Sequence, residues 1–194
     1  MTKHGVGGSA TLAARRRTRS VVLEDCPICK HVHTESDARA LAGLSETPKA
    51  LEKLVRGLSA KGFDWNYGPG KWSIRQIVCH LRDVETVFAV RYRKVLTEKN
   101  PPLVAWEQED WARDTRYAKQ DAKAALAAFR ELRAANLETL RLAGAEAFGR
   151  AGLHPEYGAL TARRMFRHQL YHDRRHLEQI AEARKARRSH GAWK

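Results

Sequence analysis

Three histidines, His168, His172 and His176, recur at intervals of four residues in the segment HQLYHDRRH near the end of the chain. Four residues come close to one helical turn, so a helix carries all three imidazoles on one face. Neighbours four apart lie about 6 Å from each other and can share one metal ion. The outer two are separated by roughly 12 Å of helical rise and cannot. One helix therefore offers a pair, either His168 with His172 or His172 with His176, and a third ligand has to come from another element. The obvious supplier is His80, on the flank of the stripe formed by Ile77, Leu81 and Val84, where side chains face a neighbouring helix. Three imidazoles and one open position are the ligand pattern of a catalytic zinc ion, whereas structural zinc sites close with four protein ligands. The competing reading is a basic helix whose histidines bind nothing. Asp173 stands where the Glu of an H-E-x-x-H motif would be, so peptidase chemistry is not expected. Asp83, three residues after His80, can either orient an imidazole from behind or pair with Arg75 or Arg82.

A second group of ligand types lies near the start, in Cys26-Pro27-Ile28-Cys29-Lys30-His31-Val32-His33. A C-x-x-C turn presents two thiolates to one ion, and His31 with His33 completes a Cys₂His₂ set for a structural zinc. All four ligands would come from a span shorter than the loops of ordinary zinc fingers. A redox pair and two free thiols with exposed histidines are the other readings, the redox one without the βαβ pattern that usually surrounds it.

The elements that must position these residues read as helices. Thr47-Pro48 looks like an N-cap followed by proline at the first helical position, with Leu51, Leu54, Val55 and Leu58 at helical spacing up to Gly62. Ser73-Ile74-Arg75-Gln76 is a capping box, and Ile77, Leu81, Val84 and Phe88 continue that helix to about Leu96, before Asn100-Pro101-Pro102. Asp121 caps a third helix through Leu126, Phe129, Leu132, Leu137 and Leu140, closed by Gly144. Thr161 opens a fourth, through Met165, Leu170, Leu177 and Ile180. No alternating run of β-branched residues competes for a sheet, so the expectation is an all-α four-helix bundle. Trp106 and Trp111, in the 97–120 connection, form a pocket wall or cover the core.

The chain has 194 residues, enough for one domain, and 36 Lys and Arg against 22 Asp and Glu give a net charge of +14. That excess attracts anions. Arg163, Arg164, Arg174 and Arg175 either draw an anionic substrate to the histidine helix or form a solvated face. A basic nucleic-acid-binding module without catalysis is the alternative, supported by Arg15-Arg16-Arg17 and by the 184–188 run, but no recognition element accompanies it. No apolar run approaches the ~18 residues of a membrane span, and the first twenty residues lack the apolar core of a secretory signal. Three cysteines without a disulfide framework fit a reducing cytoplasm.

Three blocks then stand out together: Trp72 to Glu85 (WSIRQIVCHLRDVE), His154 to Thr161 (HPEYGALT) and Tyr171 to Ile180 (YHDRRHLEQI). In this order and separation they resemble the DinB-like superfamily of bacterial four-helix-bundle proteins, over residues 38–185. The resemblance implies a divalent metal, zinc or nickel, held by His80, His172 and His176, with His168 outside the motif. It also implies a small-molecule substrate, a thiol among the candidates, in a metal-dependent transferase or hydrolase; a homodimer is a further expectation. The N-terminal Cys/His extension is a departure from the family pattern. The organisation expected is a flexible basic leader over 1–20, a zinc-knuckle segment over 21–37, the bundle over 38–185 and a basic tail over 186–194. If the knuckle binds zinc, replacing Cys26 and Cys29 together by Ser removes one metal equivalent in elemental analysis. The metal expected on His80, His172 and His176 stays, since the two sets share no ligand.

Overall fold

The structure, a computed structural model, describes residues 35–189. The leader, the set of Cys26, Cys29, His31 and His33, and the end of the tail lie outside the described residues.

Helix α1 covers Asp37–Val55 and starts well before Thr47. Ser36 caps it, its Oγ accepting the N–H of Arg39 at 3.2 Å. Thr47 and Pro48 sit inside the helix instead of opening it, and hydrogen bonding to two carbonyls explains why both are tolerated. The Thr47 hydroxyl donates back to the Gly43 carbonyl at 3.1 Å. Pro48 has no N–H for the Leu44 carbonyl, its i−4 partner. That carbonyl accepts Nη1 of Arg133 at 2.8 Å instead.

Helix α2 spans Ile74–Thr97 behind the capping box, with Ser73 Oγ accepting from Gln76 N and Gln76 Oε1 from Ser73 N. The return connection carries a short helix, α3, over Gln108–Asp114 and a 3₁₀ turn at Tyr117–Lys119. Helix α4 covers Ala122–Ala143, capped by Asp121 and ended by Gly144 at φ +77°. Helix α5 covers Ala162–Ser189, and Thr161 Oγ1 accepts the N–H of Arg164 at 3.1 Å.

Side-chain contacts give the helix directions. Arg163 and Arg167 at the start of α5 pair with Asp37 at the start of α1, and Arg184 near its end donates to the Leu54 carbonyl. These two helices are therefore parallel. Arg75 in α2 donates to the Gln120 carbonyl just before α4, and Arg133 and Asn136, further along α4, both reach Glu85. This pair is also parallel. Around the bundle the order is α1, α5, α2, α4, the last closing on α1. A parallel α2–α4 pair requires a connection that runs back along the bundle, and residues 98–121 provide it.

Against the expectation of no sheet, β1 (Ala151–His154) and β2 (Gly158–Thr161) form an antiparallel hairpin between α4 and α5. Strands of four residues are too short to show alternation, and β1 is also bridged to distant chain at Leu153. Leu153 N donates to the Pro101 carbonyl at 2.8 Å, and Leu103 N donates to the Leu153 carbonyl at 2.9 Å. Gly152 permits this approach: a Cβ there would lie 2.5 Å from Leu103 Cδ2 and 2.9 Å from the Pro101 carbonyl oxygen. Gly152→Ala is accordingly expected to destabilise the protein by about 1–3 kcal/mol, measured by urea unfolding.

Candidate metal centre

His80 leaves α2 near its capped start, and His172 and His176 leave α5 one turn apart. The antiparallel packing of these helices brings the three rings together. Nε2 of His172 lies 2.9 Å from Nε2 of His80 and 3.1 Å from Nε2 of His176. All three ligand atoms fall within 4.8 Å of one another, and among the described residues this is the group of His, Cys, Asp and Glu side chains arranged to hold an ion.

Orientation of the rings favours a cation at their centre. Nδ1 of His176 is 2.8 Å from Gln179 Oε1, so Nδ1 carries the proton and the Nε2 lone pair faces inward. His172 Nδ1 makes a longer contact of 3.5 Å with Asp173 Oδ1. His172 Nε2 faces two other nitrogens and can share a proton with only one of them, so hydrogen bonds alone cannot satisfy the trio. Nitrogens at about 2.0–2.1 Å from one tetrahedral zinc ion stand about 3.4 Å apart, close to the spacing found here. Burial, reinforced by the two other imidazoles, holds His80 well below its ordinary pKa. Burial likewise brings His176 down to about 3. Both are neutral bases, as ligation requires. The remaining Nδ1 of His80 is buried without a hydrogen-bond partner. Trp72 and Trp106 enclose the centre, the first with its ring centroid 4.9 Å from that of His80 and the second stacked on it at 5.5 Å.

His80 and His172 open onto a cavity of about 360 Å³. Trp106 lines it, so the pocket-wall reading of the return connection describes that residue. Trp111 packs against Trp106 at 4.6 Å, behind the wall. His168 lines the same cavity further along α5, apart from the trio.

Asp83 is not brought to an imidazole. Its Oδ1 accepts Arg82 Nε at 2.7 Å and its Oδ2 accepts the Tyr117 hydroxyl at 2.6 Å. Three residues on from His80, it points around α2 toward the return connection and pins the 3₁₀ turn there. Asp173, one residue after His172, holds the position behind the centre instead. Its carboxylate is fully buried and also accepts Arg133 Nη2 at 2.6 Å. Burial pushes this carboxyl up, but Arg133 and His172 outweigh it and keep Asp173 below its ordinary value. An ionised, enclosed carboxylate of this kind positions His172 and is shut off from water. Cys79 is also set aside as a ligand: it is buried, its thiol is pushed up to about 11, and its Sγ faces the Tyr117 carbonyl. Gln179 and Arg133 carried no signal in the sequence beyond the former's i+3 spacing from His176.

Residues 44–180 match the family model of the DinB superfamily. The chain belongs to the DinB superfamily. The DinB relatives include a Bacillus cereus (strain 03BB102) protein named "Putative metal-dependent hydrolase", 28% identical over 142 residues, or 73% of this chain and 82% of that one. A relative of that name in Bacillus cereus strain B4264 is 35% identical over 69 residues, 36% of this chain and 40% of its own. Among solved structures, YfiT from Bacillus subtilis superposes with a TM-score of 0.72 at 25% identity, covering 81% of this chain and 89% of YfiT. It is described as "a probable metal-dependent hydrolase with an unusual four-helix bundle topology". The three-histidine cluster of this DinB protein is compatible with binding a metal. No described helix is long and apolar enough to cross a membrane.

Because Arg133 joins Asp173 to Glu85 in a dry core, Arg133→Met is expected to leave two carboxylates unpaired and cost about 3–5 kcal/mol in urea unfolding.

Proposed function

We propose that His80, His172 and His176 hold one divalent ion, zinc or nickel, and that the protein is a metal-dependent hydrolase of a small molecule bound in the adjoining cavity. The convergence of three Nε2 atoms beside that cavity carries this reading, and the names of the relatives agree with it. Bound there, the ion supplies Lewis acidity to a water or a substrate oxygen. The protein's own groups do the rest. Gln179 and Asp173 hold two imidazoles in the tautomer that ligates. Trp72 and Trp106 shield the centre from bulk water, and Trp106 offers an aromatic wall to the substrate. Asp173 is committed to Arg133 and is not available as a solvent-facing base.

A thiol substrate and a homodimer remain finer expectations of the same reading, and a second zinc on Cys26, Cys29, His31 and His33 is a separate one. The nucleic-acid alternative draws on net charge, and four of the α5 arginines are held in ion pairs with acids. Arg163 and Arg167 serve Asp37, Arg174 serves Glu35 and Arg175 serves Glu178.

Elemental analysis of tag-free protein tests the metal reading. One divalent equivalent is expected to disappear when His172 and His176 are both changed to Ala. Gln179→Ala is expected to weaken metal affinity by about 10–100-fold while keeping the ligands. An equivalent that survives the double substitution, once the cysteine segment is accounted for, sinks the assignment. Hydrolysis of a p-nitrophenyl ester should be lost on chelation and return with the metal.

A further inference from the structure

The cavity that starts at His80 and His172 runs on between α2 and α5 to a second set of polar groups, Arg91, His154, Arg164 and His168. Val84, Phe88, Leu160 and Met165 add apolar lining to the same cavity. Along α2 the rise from His80 to Arg91 is about 16 Å, and helical side chains lean back toward the N-terminus, so Arg91 leans into the cavity toward the histidines.

Arg91 is 7% exposed. Its Nε donates to the Val104 carbonyl at 2.9 Å and its Nη2 to the same oxygen. Its other partners are the Phe88 ring and His154; no ion pair to a carboxylate is formed among the described residues. A guanidinium this deep is costly without a paired carboxylate; Glu156, which also lines the cavity, attracts it without reaching ion-pair distance, and burial outweighs that attraction. His154, at the end of β1, adds a second imbalance. The N–H of Glu156 points at its Nδ1 at 3.2 Å. Its Nε2 lies 3.1 Å from Nη2 of Arg91, which can only donate. Both ring nitrogens thus face donors, and a neutral imidazole, with one lone pair, satisfies only one of them. A second proton on the ring would set Nδ1–H against Glu156 N–H and increase the surplus. Burial, with the Arg91 charge behind it, keeps His154 below its ordinary pKa and hence neutral.

We propose that Arg91 and His154 form a carboxylate-binding end of this cavity, so that the substrate is a small molecule with an apolar middle and a carboxylate. The word substrate rests on the hydrolase reading; the binding end itself stands on these two residues. A planar carboxylate fits the edge of a guanidinium and, by accepting there, relieves the surplus of donors around His154. Glu107 and Glu156 also line the cavity, and they disfavour a doubly charged phosphate more than a singly charged carboxylate. Arg164 adds positive charge from α5.

Calorimetric titration with 4-phenylbutyrate and with its uncharged amide tests the proposal, using the protein as purified and again after chelation and desalting. The acid is expected to bind at least tenfold tighter than the amide in both states. NMR signals of Arg91 Nε and the His154 ring should shift with the acid and not with the amide. Arg91→Met should remove the preference without changing metal content; if that variant does not fold, the wild-type shifts decide. Equal binding of acid and amide overturns the proposal, as do shifts confined to His80, His172 and His176. Inorganic phosphate binding at Arg91 more tightly than the acid overturns it too. A protein that carries no metal at His80, His172 and His176 as purified without a tag, and takes none up when it is offered, yet prefers the acid, would sink the metal reading and leave this one standing.

Discussion

The guanidinium of Arg133 lies in the dry middle of the bundle and is held by every one of its four long helices. α1 presents the Leu44 carbonyl, free because Pro48 lacks an N–H; α2 presents Glu85 and α5 presents Asp173. Asn136 donates to the other carboxylate oxygen of Glu85, Gln169 donates to the one that Arg133 uses, and the Tyr92 hydroxyl donates to Gln169. An apolar core tolerates small slips of one helix along another, since its contacts are non-directional. A network of this kind does not, because a displaced partner leaves a charge or donor buried and unsatisfied. Burial raises the Glu85 pKa against the pull of Arg133, which shows how far from water the network lies. Asp173 also touches His172, so the register of the four helices is the register of the histidine centre.

Two apolar clusters flank this network, one with Leu44, Phe88, Phe166 and Leu170 and the other with Leu51, Ile77, Phe129 and Ile180. Each draws on all four long helices or their flanks, and together they set the parallel pairing of α1 with α5 and of α2 with α4. Parallel neighbours cannot be joined by a tight turn. The long return after α2 follows from that constraint, and it supplies the aromatic cover of the site: Trp106 over His80, Trp111 behind it, Tyr117 pinned by Asp83. The hairpin before α5 is docked on the same return through Leu153 and carries His154 into the cavity. Bundle topology and cavity lining are thus one consequence of helix direction.

The cavity carries two polar groups joined by apolar lining. One group collects neutral imidazoles whose lone pairs converge. At the other, donors accumulate around a buried guanidinium that no carboxylate pairs directly. Such a polarity selects molecules that bear a group suited to each end. Four of the eight α5 arginines pair with acids, and the buried cation of the cavity is Arg91, on a different helix.

By itself the sequence determined the local structure. Ser73 and Gln76, Asp121, Thr161 and Gly144 mark helix ends because caps act between residues three or four apart, and apolar spacing marks the faces. It also determined the three histidines, since i,i+4 pairs are legible along one helix and the block around His80 completes the family pattern. Thr47-Pro48 misled because a proline that ends a ladder and one that frees a carbonyl for a distant guanidinium look alike locally. The hairpin was missed because its strands are only four residues long, too short to show alternation, and Leu153 docks on a segment some fifty residues away, at Pro101 and Leu103. Only the tertiary structure decided that Asp83 turns from the imidazoles while Asp173 backs them, that Arg133 unites four helices, and that Arg91 faces His154. Those are relations between side chains on different elements, and their energies depend on burial and on which donor meets which acceptor, neither of which exists until the helices pack.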